Sequence, residues 1–137
     1  MIKMSTPYLN FNGTGAKAIA LYEKALGAKA ENVMKFSDIP GEAPKPENED
    51  RVVHATLHLG AGLIMLSDTP ADRPAPPAGN THVCLEFDDV ADQKQKFDAL
   101  AVGGQVTMPL MDTFWGATFG MLIDAYGISW MFNCTKK

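Results

Sequence analysis

One order of elements occurs twice in this chain, and that repetition constrains the fold more than any other feature. Residues 7–11 form a short, aromatic-rich apolar run closed by Asn12-Gly13-Thr14-Gly15, a strand followed by a turn. Ala18, Ile19, Tyr22, Ala25 and Leu26 then recur at helical spacing, which predicts a helix over 16–26 with Thr14 as its N-cap and Gly27 as its stop. A second strand is predicted over 30–36. Apolar runs at 52–59 and 63–68 are joined by Gly60-Ala61-Gly62, a hairpin signal. The order then begins again. A strand over 81–87 precedes a helix over 90–101, whose apolar side is Val90, Phe97, Leu100 and Ala101. Gly103-Gly104 ends it. Strands over 105–111, 115–123 and 128–133 follow, the last two joined by Asp124-Ala125-Tyr126-Gly127.

Each half therefore reads βαβββ. One such half buries its helix on one face of its sheet and leaves the other face free. Two halves side by side make a cupped, mixed sheet with a concave face suited to a ligand. The expected fold class is α+β: a single domain of two βαβββ modules, residues 1–69 and 80–137, forming a cupped mixed β-sheet. The segment 69–80 holds four prolines and reads as the linker. Residues 37–51, with three prolines and a cluster of acids, read as a lid or solvated loop.

Composition narrows the function. The chain has 137 residues, 46% hydrophobic and 20% charged, enough to build a core without disulfide or metal staples. The net charge is −4 and no Lys/Arg run occurs, so neither nucleic acid nor an anionic membrane is an expected partner. No run approaches the roughly 20 apolar residues of a membrane span, and the N-terminus does not read as a signal peptide, so a cytoplasmic protein is expected. Cys84 and Cys134 are too few for a disulfide scaffold. The crossover in a βαβββ module makes its first and fourth strands parallel neighbours, which places the two cysteines at opposite ends and predicts that both are free.

The ordered set Pro7-Tyr8-Leu9-Asn10-Phe11-Asn12-Gly13, Ala18-Ile19-Ala20-Leu21-Tyr22-Glu23-Lys24-Ala25-Leu26-Gly27, Leu66-Ser67-Asp68, Phe114-Trp115-Gly116, Phe119-Gly120, Asp124-Ala125-Tyr126-Gly127 and Ser129-Trp130-Met131-Phe132-Asn133 resembles the vicinal oxygen chelate superfamily. This is the glyoxalase/bleomycin-resistance/dioxygenase group, and the resemblance is to its PhnB-like branch, over essentially the whole chain. Ala125 stands where proline is common. The resemblance implies the glyoxalase/bleomycin-resistance fold and a homodimer. Lack of edge charge at 105–108 gives dimerisation a physical motive, because unpaired strand edges seek cover. Some members of the branch carry a 3-demethylubiquinone methyltransferase label. Gly13-Thr14-Gly15 superficially suits a nucleotide turn, but the doubly wound sheet that such a turn needs is missing from this order of elements.

The resemblance also implies where a metal would sit: one residue on the first and last strand of each half, here Pro7, Met65, His82 and Met131. Only His82 suits a hard or borderline divalent ion, since thioethers favour soft ions and proline has no side-chain donor. His54 and His58 lie on one strand face about 13 Å apart, too far to share an ion. No cofactor and no metal site is expected, with a divalent metal as the alternative.

Strand alternation places His82, Cys84 and Glu86 on one face of the fifth strand, toward the cup. Cys84 is either a small buried hydrophobe or a thiol activated by His82. By transfer from the family, Leu9, Phe11, Met65, Ser67 and Met131 line the same cup. Trp115 and Phe119 share a face of the seventh strand and suit stacking on a planar ligand. The expected function is binding of a small apolar or aromatic molecule with no defined activity. The alternative is a metal-dependent lyase, isomerase or dioxygenase, so whether the protein is an enzyme stays open.

Overall fold

The computed structural model describes residues 1–41, 43–76 and 79–135. The chain divides into two compact units, Met1–Pro76 and Pro77–Lys137. Among the described residues the first unit holds β1 (Tyr8–Phe11), α1 (Gly15–Leu26), β2 (Lys29–Lys35), β3 (Val52–Leu59) and β4 (Gly62–Asp68). The second holds β5 (Val83–Phe87), α2 (Val90–Ala101), β6 (Gln105–Asp112), β7 (Ala117–Ile123) and β8 (Ser129–Thr135). Their four-stranded sheets run β1-β4-β3-β2 and β5-β8-β7-β6. The first and last strands of each unit pair in parallel, and the other pairs are antiparallel. This is the βαβββ order, twice, with α+β mixed sheets. Neither helix is long and apolar enough to cross a membrane.

Helix α1 buries Ala18, Ile19, Tyr22, Ala25 and Leu26, the residues spaced to share one side. Gly27 ends it in the left-handed conformation, φ 70°, with its N–H returned to the Glu23 carbonyl. The helix start differs from the sequence expectation. Thr14 occupies the N-cap position but its side chain makes no capping bond. Asp68, at the end of β4, does the capping instead. Its Oδ1 accepts from the N–H groups of Gly13 (2.9 Å) and Gly15 (2.8 Å), and its Oδ2 from Val52 (2.9 Å). A carboxylate at a helix N-terminus also meets the positive end of the helix dipole. A side chain at position 15 would place Cβ 2.8 Å from Asp68 Oδ2, so the turn takes glycine there because the carboxylate fills the space.

Helix α2 is capped as its sequence allows, by Asp89 accepting from the Asp92 N–H at 2.8 Å. Its buried side is Gln93, Phe97 and Leu100. Val90, expected on that side, is exposed. Gln93 takes the inward place because its amide donates to the Thr118 carbonyl (2.9 Å), across to β7. Phe97 and Phe87 both pack on Phe132, edge-on at 5.1 Å and stacked at 5.3 Å. In the turn before β8, buried Asp124 accepts from the N–H groups of Tyr126 (2.8 Å) and Ile128 (3.1 Å) and from Trp130 Nε1 (2.9 Å). The Asp-x-x-Gly-x-x-Trp pattern is thus a turn lock.

Three expectations about connecting segments change. The segment over 69–80 is not simply a linker, because its first part folds back on the first unit. Asn12 Oδ1 accepts from Ala75 N–H (2.6 Å), Asn48 Oδ1 from Ala71 N–H (3.0 Å), and Arg51 Nη1 donates to the Thr69 carbonyl (2.9 Å). Residues 77 and 78 of that segment lie outside the described residues. The same contacts hold the later part of the 37–51 loop, in which Asn48 is buried; Glu42 of that loop lies outside the described residues. Finally, β6 is a poorer pairing edge than its lack of charge suggests. Pro109 interrupts its donors, and its register slips between Val106 and Met108 and again between Met108 and Met111. The β2 edge slips likewise after Glu31, beside Asn32 at φ 55°.

Candidate functional site

The second unit carries the most concentrated chemistry. Register and alternation divide its sheet into two faces. Leu85 opposes Phe132 and Phe87 opposes Cys134 on the face packed by α2. The other face holds two rows, each running across β5, β8, β7 and β6. The first is Cys84, Met131, Met121 and Met108, all bearing sulfur. The second is Glu86, Asn133, Phe119 and Met111. Directly opposed residues on neighbouring strands share a face, so these side chains form one surface.

The turn joining β6 to β7 extends this surface. Thr113 closes it, donating its N–H to the Ala117 carbonyl (2.8 Å) while its Oγ1 accepts from Ala117 N–H (3.1 Å). Trp115 rests edge-on against Phe119 (5.9 Å between ring centres) and Phe114 against Trp115 (5.0 Å). Trp115 therefore lies in the turn before β7, not on the strand as its sequence suggested, but its ring still meets Phe119. Both turn aromatics are exposed, Trp115 at 55% and Phe114 at 98%.

Polar groups gather at the β5 end. Asn133 Nδ2 donates to both Glu86 carboxylate oxygens, at 2.9 and 3.1 Å. Its Oδ1 is shielded from solvent and has no hydrogen-bond partner. Cys84 is accessible, yet its thiol sits above the ordinary value of 9.0, through desolvation first and the neighbouring Glu86 carboxylate second. Cys84 is thus not the small buried hydrophobe of the first reading, and the direction of its shift gives no support to activation by His82. His82 itself precedes β5 rather than lying within it. The cysteines stand at opposite ends of the β5–β8 pair, Cys84 opposite Met131 and Cys134 opposite Phe87, on opposite faces, and both are free.

In the first unit the face away from α1 holds Met65 and Ser67, with Tyr8 opposite Met65 and Asn10 opposite Ser67. Leu9 and Phe11 are a correction. They oppose Leu66 and Asp68 on the helix-covered face, and Phe11 is 2% exposed. The signal was in the local pattern: in Tyr8-Leu9-Asn10-Phe11 the purely apolar residues alternate, and those belong to the core. On the neighbouring strand His58 pairs with Glu31 at 2.5 Å, and the His54 ring lies 6.3 Å from Tyr8.

The residues do not fit a hard divalent metal. At the four positions transferred from the resemblance, Pro7 offers no side-chain donor and its carbonyl accepts from Met65 N–H (3.0 Å). Met65 and Met131 offer only thioethers. Among the described residues no three His, Cys, Asp or Glu side chains group as a metal site.

The paired βαβββ units and this sheet surface define a class, and comparison with known proteins places the chain in it. The protein belongs to the Glyoxalase/Bleomycin resistance protein/Dioxygenase superfamily, which it matches over residues 9–132. It is similar to the protein YjdN of Escherichia coli, with 33% identity over 141 residues covering 96% of this chain and 95% of that one. A solved Pseudomonas aeruginosa protein is 37% identical, with a TM-score of 0.88 and coverage of 99% and 100%. A Bacillus cereus PhnB protein described as a 3-demethylubiquinone-9 3-methyltransferase shares the fold, with 24% identity, a TM-score of 0.76 and coverage of 97% and 100%.

Proposed function

We propose that this protein is a PhnB-like member of the superfamily that binds a small apolar or aromatic molecule on the sheet face of its second unit opposite α2. The observation that carries this reading is the surface made by Met108, Met121, Met131, Phe119 and Trp115, with polar groups at one end only. Methionine side chains adapt to flat, polarisable ligands, and tryptophan supplies a stacking face at small entropic cost. A few placed polar groups in an apolar surround is the usual composition of a small-molecule site.

The methyltransferase description of the Bacillus cereus relative gains no support from the Gly13-Thr14-Gly15 turn. Its N–H groups, which would face a nucleotide phosphate, are taken by the Asp68 carboxylate. Divalent-metal catalysis is the weaker reading because the donor chemistry at the transferred positions is wrong for it.

The test is titration of protein carrying ¹³C-methyl methionine with 2-naphthalenemethanol, followed by NMR. Saturable shifts are expected at Met108, Met121 and Met131, while Met34 on β2 stays still. Shifts that fail to saturate, or that spread evenly over all methionines, would overturn the reading. Trp115→Ala is expected to weaken binding about tenfold, as loss of a stacking partner.

A further inference from the structure

We infer that the ligand carries a positive charge: it is an aromatic or flat apolar amine, recognised through Glu86 and Asn133. This rests on the binding reading above and adds the chemistry of the polar end. Each group there points to the same partner. Glu86 is an acceptor only, and among the described residues no Lys, Arg or His forms an ion pair with it. Asn133 spends its donor nitrogen on the two Glu86 oxygens, which fixes the carboxylate on this face. Asn133 Oδ1 has no partner but is shielded from solvent, so the acceptors that this end presents to a ligand are the exposed Glu86 oxygens. A carboxylate is satisfied best by a charged donor. The adjacent Cys84 thiol is held in its neutral form, so it adds no competing cation site and no anion of its own near neutral pH.

The spacing suits one small molecule. Glu86, Asn133 and Phe119 are consecutive across β5, β8 and β7. Neighbouring strands lie about 4.8 Å apart, so an ammonium at Glu86 and Asn133 leaves a ring roughly one strand further on, over Phe119. Trp115 stands against that ring position at 5.9 Å. Its face, and that of Phe119, also attract a cation. The net charge of −4 favours approach of a cationic ligand over an anionic one.

Three probes with a common ring separate charge from shape: 2-(aminomethyl)naphthalene, 2-naphthalenemethanol and 2-naphthoate. Their affinities are measured by the same methionine methyl shifts at low salt. The ammonium probe is expected to bind at least about fivefold more tightly than the alcohol, and the carboxylate more weakly than the alcohol. Glu86→Gln is expected to bring the ammonium probe to within about twofold of the alcohol measured on the same variant. Salt added to the wild-type protein is expected to erode the same preference, which tests the charge without any substitution. A preference under fivefold, one that survives Glu86→Gln, or one insensitive to salt overturns the inference. If all three probes bind alike, the site stands and its charge selectivity falls; if none binds saturably, the site itself falls.

Discussion

Replacing Asp68 with asparagine tests the central structural claim of the first unit. The side chain is 3% exposed and its two oxygens accept three backbone N–H groups, from Gly13, Gly15 and Val52. Asparagine keeps one oxygen for Gly13 and Gly15 but turns an NH₂ toward Val52 N–H. One charge-assisted bond is lost, at about 1.5–3 kcal/mol, and the remaining two lose their charge. The interaction with the α1 dipole goes as well, at about 0.3–1 kcal/mol. The expected destabilisation is about 2–4 kcal/mol, a large share of the roughly 5–15 kcal/mol that holds a domain folded. Asp68→Ala leaves all three donors unmatched and is expected to cost more than Asp68→Asn. Urea unfolding followed by circular dichroism measures both, and amide exchange at Gly13, Gly15 and Val52 locates the effect. A change in Asp68→Asn below about 0.5 kcal/mol, with those amides protected as before, would refute the account.

Asp124→Asn in the second unit is expected to cost about 1–3 kcal/mol, because one of the acceptors for Tyr126, Ile128 and Trp130 Nε1 becomes a donor; unchanged unfolding and unchanged indole N–H exchange would contradict this. Cys84 is expected to react with iodoacetamide more slowly near pH 8 than an ordinary exposed thiol. A raised pKa means less thiolate at a given pH, so the rate levels off only at a pH above the usual value of 9.0. Glu86→Gln removes the like charge, lowers that pKa and speeds the reaction; equal rates in both proteins would remove Glu86 as a cause. Sedimentation at micromolar concentration is expected to give a homodimer of twice the 14.8 kDa chain, and a mass of one chain would reject it.

Much of this protein is legible in its sequence because the signals are local. The helix expected over 16–26, and found as Gly15–Leu26, follows from apolar spacing, the hairpin at Gly60-Ala61-Gly62 from turn chemistry, and the βαβββ order from the succession of both. The second-unit site is partly legible too. Alternation alone puts Cys84 with Glu86 and Met131 with Asn133 on common faces. It cannot say which strands are neighbours, and so cannot assemble Cys84, Met131, Met121 and Met108 into one row; nothing local marks Met108 or Met121. Register supplied the row, because pairing across strands depends on contacts far apart in the chain.

The same division runs through the corrected details. Leu9 and Phe11 carried their own signal, apolar alternation against Tyr8 and Asn10, which positional transfer from the resemblance overrode. Thr14 was the reasonable cap from its neighbours, and nothing local marks Asp68 as the true one, since 53 residues separate it from Gly15. Sequence by itself determined which segments become strands and helices, because backbone propensity and the period of apolar residues act over a few positions. Only the tertiary structure decided what caps α1, which sulfur side chains stand together and what faces Glu86, because hydrogen bonds and charges act between atoms that folding brings close, whatever their distance along the chain.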